Sequence, residues 1–549
     1  MTGMPSLSNF AVDDDGWLLF NNRRIANFVP RIVEQFWYPD CKNNLPDVIQ
    51  VEFSLAGETT SYCVFIVTQE IDSFKFEDHC PTCICADENG NSTRRIIRLF
   101  LRVQLGKTPD SCIRHYFYPS TGWYFAENSP RFVAGQHLIP SNESEAFHIA
   151  ADVGKYHLVS LPKSSSPDNV ISLLTTMQGM TVAIPVFGFT LLASLKSIFH
   201  ANKLPTTCIL YIQGSQGFGK TELAKRFSLL YDQDISGRKS IADHYDAEST
   251  ASAMRNALAD ARDRVVLLDD ICCSSAPVNQ RTRYILAAEL IRAAANEIPL
   301  TRMRGRVQES VFCSASLVIT GEIGLTAASD LTRCILVDLE QPLRSGDPNI
   351  RSVAAATLES YLEWFSLHGE DEQCRLRKDY DAFKNCDRQH HEERLQVSLW
   401  ELSWVYDSFL RFATDIQAVS KQAANEFEAT VTKILQEIYG KTLSRIHSRP
   451  EATEASLIPI ITRGVNFGQI PYITHRGCLC IRSQDLAEYL NYTYSRYDYT
   501  DRDVANLLRQ QGLLRMDKSG TATRKIEGIR YLTIPLDKVP GLKSGKAHT

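Results

Sequence analysis

Gly214-Ser215-Gln216-Gly217-Phe218-Gly219-Lys220-Thr221 is the stretch of this 549-residue chain that decides its fold. A glycine, four residues and then Gly-Lys-Thr bind phosphate when a strand precedes them and a helix follows. The apolar run at residues 208–213 predicts that strand, and apolar positions at helical spacing over 221–231 predict the helix. The sequence therefore predicts an α/β domain that binds a nucleotide.

Each part of this loop has a chemical task. Its glycines let the backbone curl, so that successive N–H groups face the β-phosphate, and the helix N-terminus adds positive potential. Lys220 is expected to reach the β- and γ-phosphates, and Thr221 to ligate Mg²⁺. The predicted ATP contacts run from Gly214 to Glu222. A chance glycine-rich loop is the alternative, and the flanking strand and helix argue against it.

An apolar strand that ends in two acids follows the loop. Residues 264–270 read Arg-Val-Val-Leu-Leu-Asp-Asp. Asp269 is predicted to hold Mg²⁺, directly or through water, and Asp270 to polarise the attacking water. A strand that ends in an ordinary solvated acidic turn is the alternative.

Two residues further along complete the predicted catalytic set. Thr320 ends the buried strand at 314–320, and its position resembles that of the polar residue that orients the attacking water in AAA+ proteins. An ordinary strand-end threonine is the alternative. Arg333 stands just before the last apolar strand, at 334–338. Its position resembles that of the arginine that AAA+ subunits insert into a neighbour's ATP site, and this resemblance implies that Arg333 stabilises charge on the transferred phosphoryl group. A surface arginine at a strand start is the alternative.

Three arginines alternate around a glycine between these elements. Arg302, Arg304 and Arg306 predict a β-hairpin that presents cations to one side. Its place in the chain resembles that of the hairpin that faces the central pore in ring motors related to MCM helicases, and this resemblance implies a contact with the phosphate backbone of single-stranded DNA. A solvated charged loop is the alternative. The net charge of −5 shows no global basic excess, so any contact with nucleic acid must come from such local patches.

Composition also bears on the compartment and on membranes. The 15 cysteines form no small disulfide framework, and the chain opens on a polar, acidic segment, so we expect free thiols in the cytoplasm. Residues 170–195 carry no charge but include Pro185 and two glycines. This stretch predicts buried helices rather than a membrane span, and no membrane partner is expected.

Changes in pattern along the chain predict four parts. Residues 1–160 form a β-rich mixed domain, with strands at 48–55, 62–68 and 96–105; it is a candidate for DNA binding, a collar or docking. Residues 165–345 form the ATPase core with its leading helices. Residues 346–450 form a helical connector, and residues 455–549 a winged helix.

The winged-helix prediction rests on the order of elements near the end of the chain. Helices are predicted from Ser483 and from Thr500, followed by strands at 513–516 and 530–534 around residues 518–520. Basic residues of the wing are predicted to contact DNA: Arg515, Lys518, Arg524 and Lys525. A plain interaction module is the alternative.

One cysteine cluster has the residue types of a zinc site. Cys80, Cys83 and Cys85 contain a CxxC core. No second CxxC pair exists in the sequence, so free cysteines in a loop are favoured over zinc.

The ordered motifs resemble a known group, the AAA+ helicases of phages, plasmids and integrating elements that carry a DUF927-type domain. That group includes the MCM-like helicases of staphylococcal chromosome cassettes. The resemblance covers residues 11–343. It is carried by Ile25-Ala-Asn-Phe28, by Thr121-Gly122-Trp123, by the uncharged helix with Pro185, and by Leu317-Val-Ile-Thr-Gly-Glu322, in addition to the phosphate loop.

The resemblance implies a ring-forming motor, by expectation a homo-hexamer, that uses ATP and Mg²⁺ to unwind DNA in replication of a mobile element. It also implies single-stranded or forked DNA and other element-encoded replication proteins as partners. Asp270 departs from the family, since most AAA+ motors have glutamate there. The shorter side chain predicts slower catalysis or an altered geometry.

Two other functions remain open at this stage. An ATP-switched initiator or loader would assemble on DNA without unwinding it, and would show slow ATPase and little stimulation by single-stranded DNA. A protein-remodelling AAA+ ATPase would need an exposed aromatic residue in the pore, where this sequence has arginines.

Overall fold

The computed structural model describes residues 7–39, 45–85, 91–106, 115–126, 129–140, 147–159, 166–204, 206, 208–235, 237–246, 249–271, 277–296, 300–304, 307–311, 313–322, 325, 328–344, 346–385, 393–447, 457–493, 499–516 and 523–539. Its internal contacts divide the chain into two units, Met1–Tyr156 and His157–Thr549. The division into four parts drawn from the sequence stays a prediction.

The first unit consists mainly of short strands. Its elements are β1 Phe10–Val12, β2 Leu18–Phe20, β3 Arg23–Ala26, β4 Arg31–Trp37, β5 Val48–Ser54, β6 Ser61–Val67, α1 Asn91–Leu105, β7 His115–Tyr118, β8 Gly122–Ala126, β9 Ser129–Ala134, β10 His137–Ile139, β11 Phe147–Ile149 and α2 Ala151–Gly154, with 3-10 turns at Leu7–Asn9, Thr68–Glu70 and Phe76–Asp78. The strands form sheets in the orders β1-β2-β3, β10-β9-β8 and β11-β7-β4-β5-β6. Ile49, Val51 and Phe53 of β5 pack in one core with Ile97 and Leu101 of α1.

Helix α1 corrects the strand predicted over residues 96–105. β-Branched residues favoured a strand there, but the spacing is helical. Arg94, Arg98 and Arg102 recur every fourth residue, and so do Ile97 and Leu101. This period places the arginines on one face and the buried residues on another, so tertiary burial of the apolar stripe outweighs the local strand propensity.

The second unit begins, after β12 Tyr156–Leu158 at the boundary, with helices and continues as alternating strands and helices. The elements are α3 Ser166–Gly179, α4 Ala183–Ser194, α5 Lys196–Ala201, β13 Ile209–Gly214, α6 Lys220–Phe227, β14 Tyr231–Ile235, β15 Arg238–Ile241, β16 His244–Asp246, α7 Ala251–Asp260, β17 Val265–Asp269, α8 Pro277–Ala295, β18 Leu300–Arg304, β19 Val307–Val311, β20 Ser316–Gly321, α9 Ala328–Leu331 and β21 Cys334–Leu339. Four long helices follow: α10 Ile350–Leu367, α11 Gly369–Lys384, α12 Glu393–Asp415 and α13 Lys421–His447.

Five of these strands form one parallel sheet in the order β16-β17-β20-β13-β21. Strand β13, which leads into the loop at Gly214, therefore lies between β20 and β21. The carboxyl ends of all five strands point the same way, so the loop after β13 and the acids at the end of β17, Asp269 and the following Asp270, share one edge of the sheet. Two antiparallel hairpins, β14-β15 and β18-β19, are separate from it.

Helices cover both faces of this sheet. Met254 and Leu258 of α7, with Leu290 and Ile291 of α8, pack on one face in a core that includes Leu317. Helices α4, α6 and α12 contact sheet strands as well. Every residue of α4 is buried. The uncharged stretch at 170–195 thus forms α3 and α4, as predicted, and the described residues contain no helix of the length and apolarity that crossing a membrane requires.

The C-terminal part of the second unit has its own core. Its elements are α14 Leu457–Asn466, β22 Tyr472–His475, β23 Cys478–Ile481, α15 Ser483–Thr493, α16 Asp501–Gln510, β24 Thr523–Ile526 and β25 Ile529–Pro535, with a 3-10 turn at Leu536–Lys538. The strands form one sheet in the order β22-β23-β25-β24. The helices pack on this sheet through buried apolar side chains, which include Leu457, Ile461, Leu486, Leu508 and Ile534.

Helices α15 and α16 lie where the sequence predicted them, whereas α14 was not predicted. Thr500 caps α16 in a reciprocal pair with Asp503. The hairpin differs. Residues 513–516 form no strand, and β24 pairs with β25 around Glu527 and Gly528, which have φ angles of 50° and 85°. Two consecutive positive φ values match the twist of a tight hairpin, and sequence reading missed the turn because glutamate is an unusual residue at its first position.

The contact between α4 and α12 gives a test of this architecture. A Cβ atom added at Gly188 would lie 2.5 Å from Cε2 of buried Tyr406. We expect Gly188→Ala to lower the free energy of unfolding by about 1–3 kcal/mol, because both groups lie on packed helices and neither can shift freely. Chemical denaturation followed by circular dichroism measures the change.

Gly179→Ala is the matched control for that variant. Gly179 ends α3, and a Cβ atom there would meet nothing within 4 Å. Equal stability of the two variants would contradict the packing of α4 against α12.

Candidate nucleotide site

The loop from Gly214 to Thr221 has the curled backbone that phosphate binding requires. Gly219 has a φ of 90°, and a Cβ atom there would lie 2.9 Å from Cβ of Leu343. Both the positive φ and the close approach exclude a larger side chain. Ser215, Gln216 and Gly217 are exposed, so the loop is open to solvent.

Lys220 and Thr221 begin helix α6 at the end of this loop. The Lys220 ammonium donates to the carbonyl oxygens of Gly214 and Ser215 at 3.1 and 3.2 Å, so its charge lies at the loop itself. The backbone N–H groups of the first helical turn have no partner within the helix and favour an anion. Glu222 is exposed and pairs with Arg226 at 2.7 Å.

Asp269 is the centre of the hydrogen bonds around the loop. Its Oδ1 accepts from the hydroxyls of Thr221 at 2.8 Å and Thr320 at 2.5 Å. Its Oδ2 lies 3.1 Å from Nε2 of His244. Burial alone would raise the pKa of this carboxyl, but the hydrogen bonds from His244, Thr320 and Thr221 outweigh burial and hold the pKa below its usual value. The group therefore stays an anion.

Thr320 links the two acids to the neighbouring strand. It is fully buried, and its hydroxyl accepts from the backbone N–H of Asp270 at 3.0 Å while it donates to Asp269. Asp270 has a φ of 55°, so the chain turns sharply directly after β17. The structure thus brings together Lys220, Thr221, Asp269 and Thr320, with Asp270 adjoining them. Orientation of a water by Thr320 stays a prediction.

His244 belongs to this site and was missed in the sequence. It begins β16, the strand parallel to β17, and sits opposite Leu267 in the register. The sequence separates it by 25 residues from Asp269, and only the pairing of β16 with β17 brings the two together. No local motif marks such a residue.

A cavity of about 390 Å³ adjoins the loop. Its volume is in the range of sites for small organic ligands. The turn between α3 and α4, the chain after β21, and α13 each supply part of the wall: Gly179–Val182, Leu339–Arg344, Ile434, Ile438 and Lys441. Leu343 connects this wall to the loop, because its N–H donates to the carbonyl oxygen of Phe218 at 2.9 Å.

An ion pair ties α13 to the same edge of the sheet. Arg445 donates to both carboxylate oxygens of Asp338, at 3.0 and 2.8 Å, and Lys441 pairs with Glu340 at 2.9 Å. Gln213, which is opposite Asp338 in the β13–β21 register, also hydrogen-bonds to it. No local sequence pattern indicates these contacts, because the partners are about a hundred residues apart.

Arg333 lies at the opposite edge of the sheet. It precedes β21, whose length of six residues puts its start roughly 16 Å from the end beside the loop. Its Nε donates to Asn296 at 3.4 Å. Burial, with repulsion from Arg394, lowers the pKa of this guanidinium. The structure therefore separates Arg333 from Lys220 and Asp269 of the same chain.

The predicted DNA-contacting arginines are placed only in part. Arg302 and Arg304 lie on β18 of the predicted hairpin, with Arg302 opposite Glu309, whereas Arg306 lies outside the described residues. In the C-terminal part Arg524 and Lys525 are exposed on β24. Arg515 donates to the carbonyl oxygen of Arg476 at 3.3 Å, and Lys518 lies outside the described residues.

Cys80 and Cys83 are buried in the core of the first unit. The Cys83 N–H donates to the Cys80 carbonyl oxygen, and Cys85 donates to Glu77 at 3.4 Å. Across the described part of the chain, no three His, Cys, Asp or Glu side chains are grouped so as to hold a metal ion. We propose no zinc site.

The fold is similar to that of a solved helicase structure. No protein-family model matches the chain, and no curated protein matches its sequence. The structure is similar to that of "SCCmec type IV Cch - active helicase", with a TM-score of 0.51 and 13% identity. The match covers 97% of this chain and 99% of that chain. At this identity the likeness concerns the fold alone.

Proposed function

We propose that the chain is an AAA+ ATPase that acts as a DNA helicase or translocase. The convergence of Lys220, Thr221 and Asp269 at the carboxyl edge of a parallel sheet carries the proposal. A lysine, a hydroxyl and an anionic carboxylate beside exposed loop amides form a donor and ligand set for a triphosphate with its metal. The sheet order, with β13 between β20 and β21, supports the AAA+ assignment.

Mg²⁺ would be held by the Thr221 hydroxyl and by Asp269, directly or through water. Both donors are oxygens, the ligand type that this cation prefers, and they lie 2.8 Å apart. The bound metal would supply neutralisation of charge on the β- and γ-phosphates. Lys220 would bind the same phosphates from the loop, and Asp270 would polarise the attacking water.

The base and ribose would enter the cavity beside the loop. The cavity opens next to Leu343, which is bonded to Phe218 of the loop, so a nucleotide with its phosphates on the loop can reach it. Apolar residues such as Ile434 and Ile438 suit the faces of a base.

Arg333 would act on the ATP of a neighbouring subunit. Its distance from Lys220 within one chain excludes a contact with the same nucleotide. Arg292 and Arg394 lie near it together with Asp330, which pairs with Arg292 at 3.5 Å. Three guanidinium groups against one carboxylate leave a net positive charge that favours an approaching anion. A ring, by expectation a homo-hexamer, would bring this edge to the phosphate loop of the next subunit.

DNA would be contacted by two groups of cations. Arg302 and Arg304 occupy alternate positions of one strand of the β18–β19 hairpin. Arg524 and Lys525 are exposed on the edge strand of the C-terminal sheet, where a winged helix carries its wing. Both groups would contact phosphates rather than bases.

An ATP-switched initiator or loader remains the second candidate, and Asp270 favours it. The side chain is one methylene shorter than the usual glutamate, and the backbone is fixed at a φ of 55°. A slower reaction would suit a switch better than a motor. Unwinding of a DNA fork by the wild-type protein with ATP distinguishes the helicase from the loader.

Substitution of Lys220 tests the role of the phosphate loop. We expect Lys220→Ala to reduce ATP hydrolysis by about 100-fold or more, because the charge that binds the phosphates in the transition state is removed. Release of phosphate with and without single-stranded DNA measures it. Lys225→Ala, on the same helix, is the control and should keep the wild-type rate. Full activity of Lys220→Ala would refute the proposed function.

A mixture of two variants tests whether neighbouring subunits share the ATP site. Arg333→Ala alone should lose hydrolysis, as should Lys220→Ala. An equal mixture of the two should regain about a quarter of the wild-type sites, since one subunit supplies Lys220 and its neighbour Arg333. Phosphate release after subunit exchange measures the recovery.

The control for that mixture is Lys220→Ala mixed with the double variant that lacks both Lys220 and Arg333, which cannot complement. No recovery in the first mixture, despite subunit exchange, would argue against an arginine in trans.

Substitution of Arg524 and Lys525 tests whether the wing contacts DNA. We expect Arg524→Ala with Lys525→Ala to weaken binding of forked DNA and to lower the log–log salt slope by roughly 2, because two phosphate contacts are lost. Fluorescence anisotropy across salt concentrations measures both. Arg238→Ala with Lys239→Ala removes the same two residue types from the exposed strand β15. Equal losses in the two double variants would contradict a specific role for the wing.

A further inference from the structure

We infer that His244 is a positioning residue that fixes the orientation of the Asp269 carboxylate for Mg²⁺. The inference rests on the proposed function, since it assigns Asp269 to the metal. It adds a residue from β16 to a site that the loop, β17 and β20 otherwise form.

The hydrogen bond has only one chemically allowed direction. His244 Nε2 lies 3.1 Å from Asp269 Oδ2. An ionised carboxylate has acceptors only, so the imidazole must donate its Nε2–H. The register of β16 with β17 fixes where the ring stands, because His244 is opposite Leu267, two residues before Asp269.

This donor completes the set that holds the carboxylate plane. Thr221 and Thr320 both donate to Oδ1, at 2.8 and 2.5 Å. The χ2 torsion of aspartate is broad, so the hydrogen bonds rather than the torsion itself set the orientation of the carboxylate plane. His244 adds a restraint at Oδ2, the oxygen to which neither threonine donates.

Partial burial of both side chains increases the effect of the hydrogen bond between His244 and Asp269. The Asp269 side chain is 12% exposed and the His244 side chain 27% exposed. Water therefore replaces the imidazole poorly, and a buried carboxylate that loses a donor is left with a desolvation cost. Removal of the ring would change the orientation of the carboxylate rather than simply exchange one donor for solvent.

Metal binding is the property that depends on this orientation. Mg²⁺ demands near-octahedral geometry at short distances, so its affinity falls when a ligand must first rotate into place. Groups that hydrogen-bond to metal ligands change metal affinity by about 10–100-fold. His244 would act through Asp269, and its effect should appear in the metal requirement before nucleotide affinity.

The test uses the full chain and three substitutions at one position. His244→Ala removes the donor. His244→Gln keeps one, because the glutamine Nε2 is as many bonds from Cα as the histidine Nε2. His244→Asn also carries an amide but places it one bond short, so it is the matched control for amide chemistry without reach.

Two measurements compare these variants with wild type. The first is the Mg²⁺ concentration for half-maximal ATP hydrolysis at saturating ATP. The second is independent of hydrolysis: binding of Mn²⁺ to the protein–ADP complex, followed by electron paramagnetic resonance. We expect His244→Ala and His244→Asn to raise the half-maximal Mg²⁺ concentration and the Mn²⁺ dissociation constant by about tenfold or more. His244→Gln should return both to within about threefold of wild type.

Three outcomes would overturn the inference. The first is wild-type metal affinity in His244→Ala, and the second is equal impairment of His244→Gln and His244→Ala. The third is a loss of ADP affinity, measured without metal, that is as large as the loss of Mn²⁺ affinity. Thermal unfolding of each variant identifies a loss that arises from misfolding. If Lys220→Ala abolishes hydrolysis while His244→Ala binds Mn²⁺ normally, the role of His244 fails and the proposed function stands.

Discussion

The site depends on one buried anion, the carboxylate of Asp269. It joins strands β16, β17 and β20 and the first turn of helix α6, because it belongs to β17 and its donors come from β16, β20 and α6. The hydrogen bonds compensate for its desolvation and hold its pKa below the usual value. Placement of the loop relative to the sheet follows from the same contacts. Helix α6 cannot shift along β17 without breaking the bond from Thr221, so the phosphate loop and the metal ligands keep a common frame.

Much of this site could be predicted from the sequence because the relevant chemistry is local. The loop from Gly214 to Thr221 needs glycines at fixed positions, and a buried strand must end before an acid such as Asp269 can face a ligand. The parallel sheet followed from the alternation of strands and helices, and the structure has it. Where a feature depended on distant pairing, the sequence was silent: His244 and Arg445 reach their partners only through strand order and helix packing.

The errors of sequence reading have identifiable causes. Over residues 96–105, β-branched residues outweighed the four-residue spacing of the arginines, although the spacing decides which face is buried. At the C-terminal hairpin, the sequence predicts strands on either side of residues 518–520, whereas the two paired strands of the structure meet at Glu527 and Gly528. Both mistakes gave composition more weight than geometry. The uncharged stretch at 170–195 was interpreted correctly because its proline and glycines lower its hydrophobicity for its length.

The cavity beside the loop joins segments that are far apart in the chain. The turn after α3, the chain after β21 and helix α13 each form one wall. A molecule that fills it gains contacts with all three walls only while they stay together, so its binding free energy also favours that arrangement. The linkage is reciprocal: whatever moves α13 away from the sheet weakens the grip on the molecule by the same factor. Occupancy of the cavity is therefore thermodynamically coupled to the position of helix α13, the helix that precedes the C-terminal part.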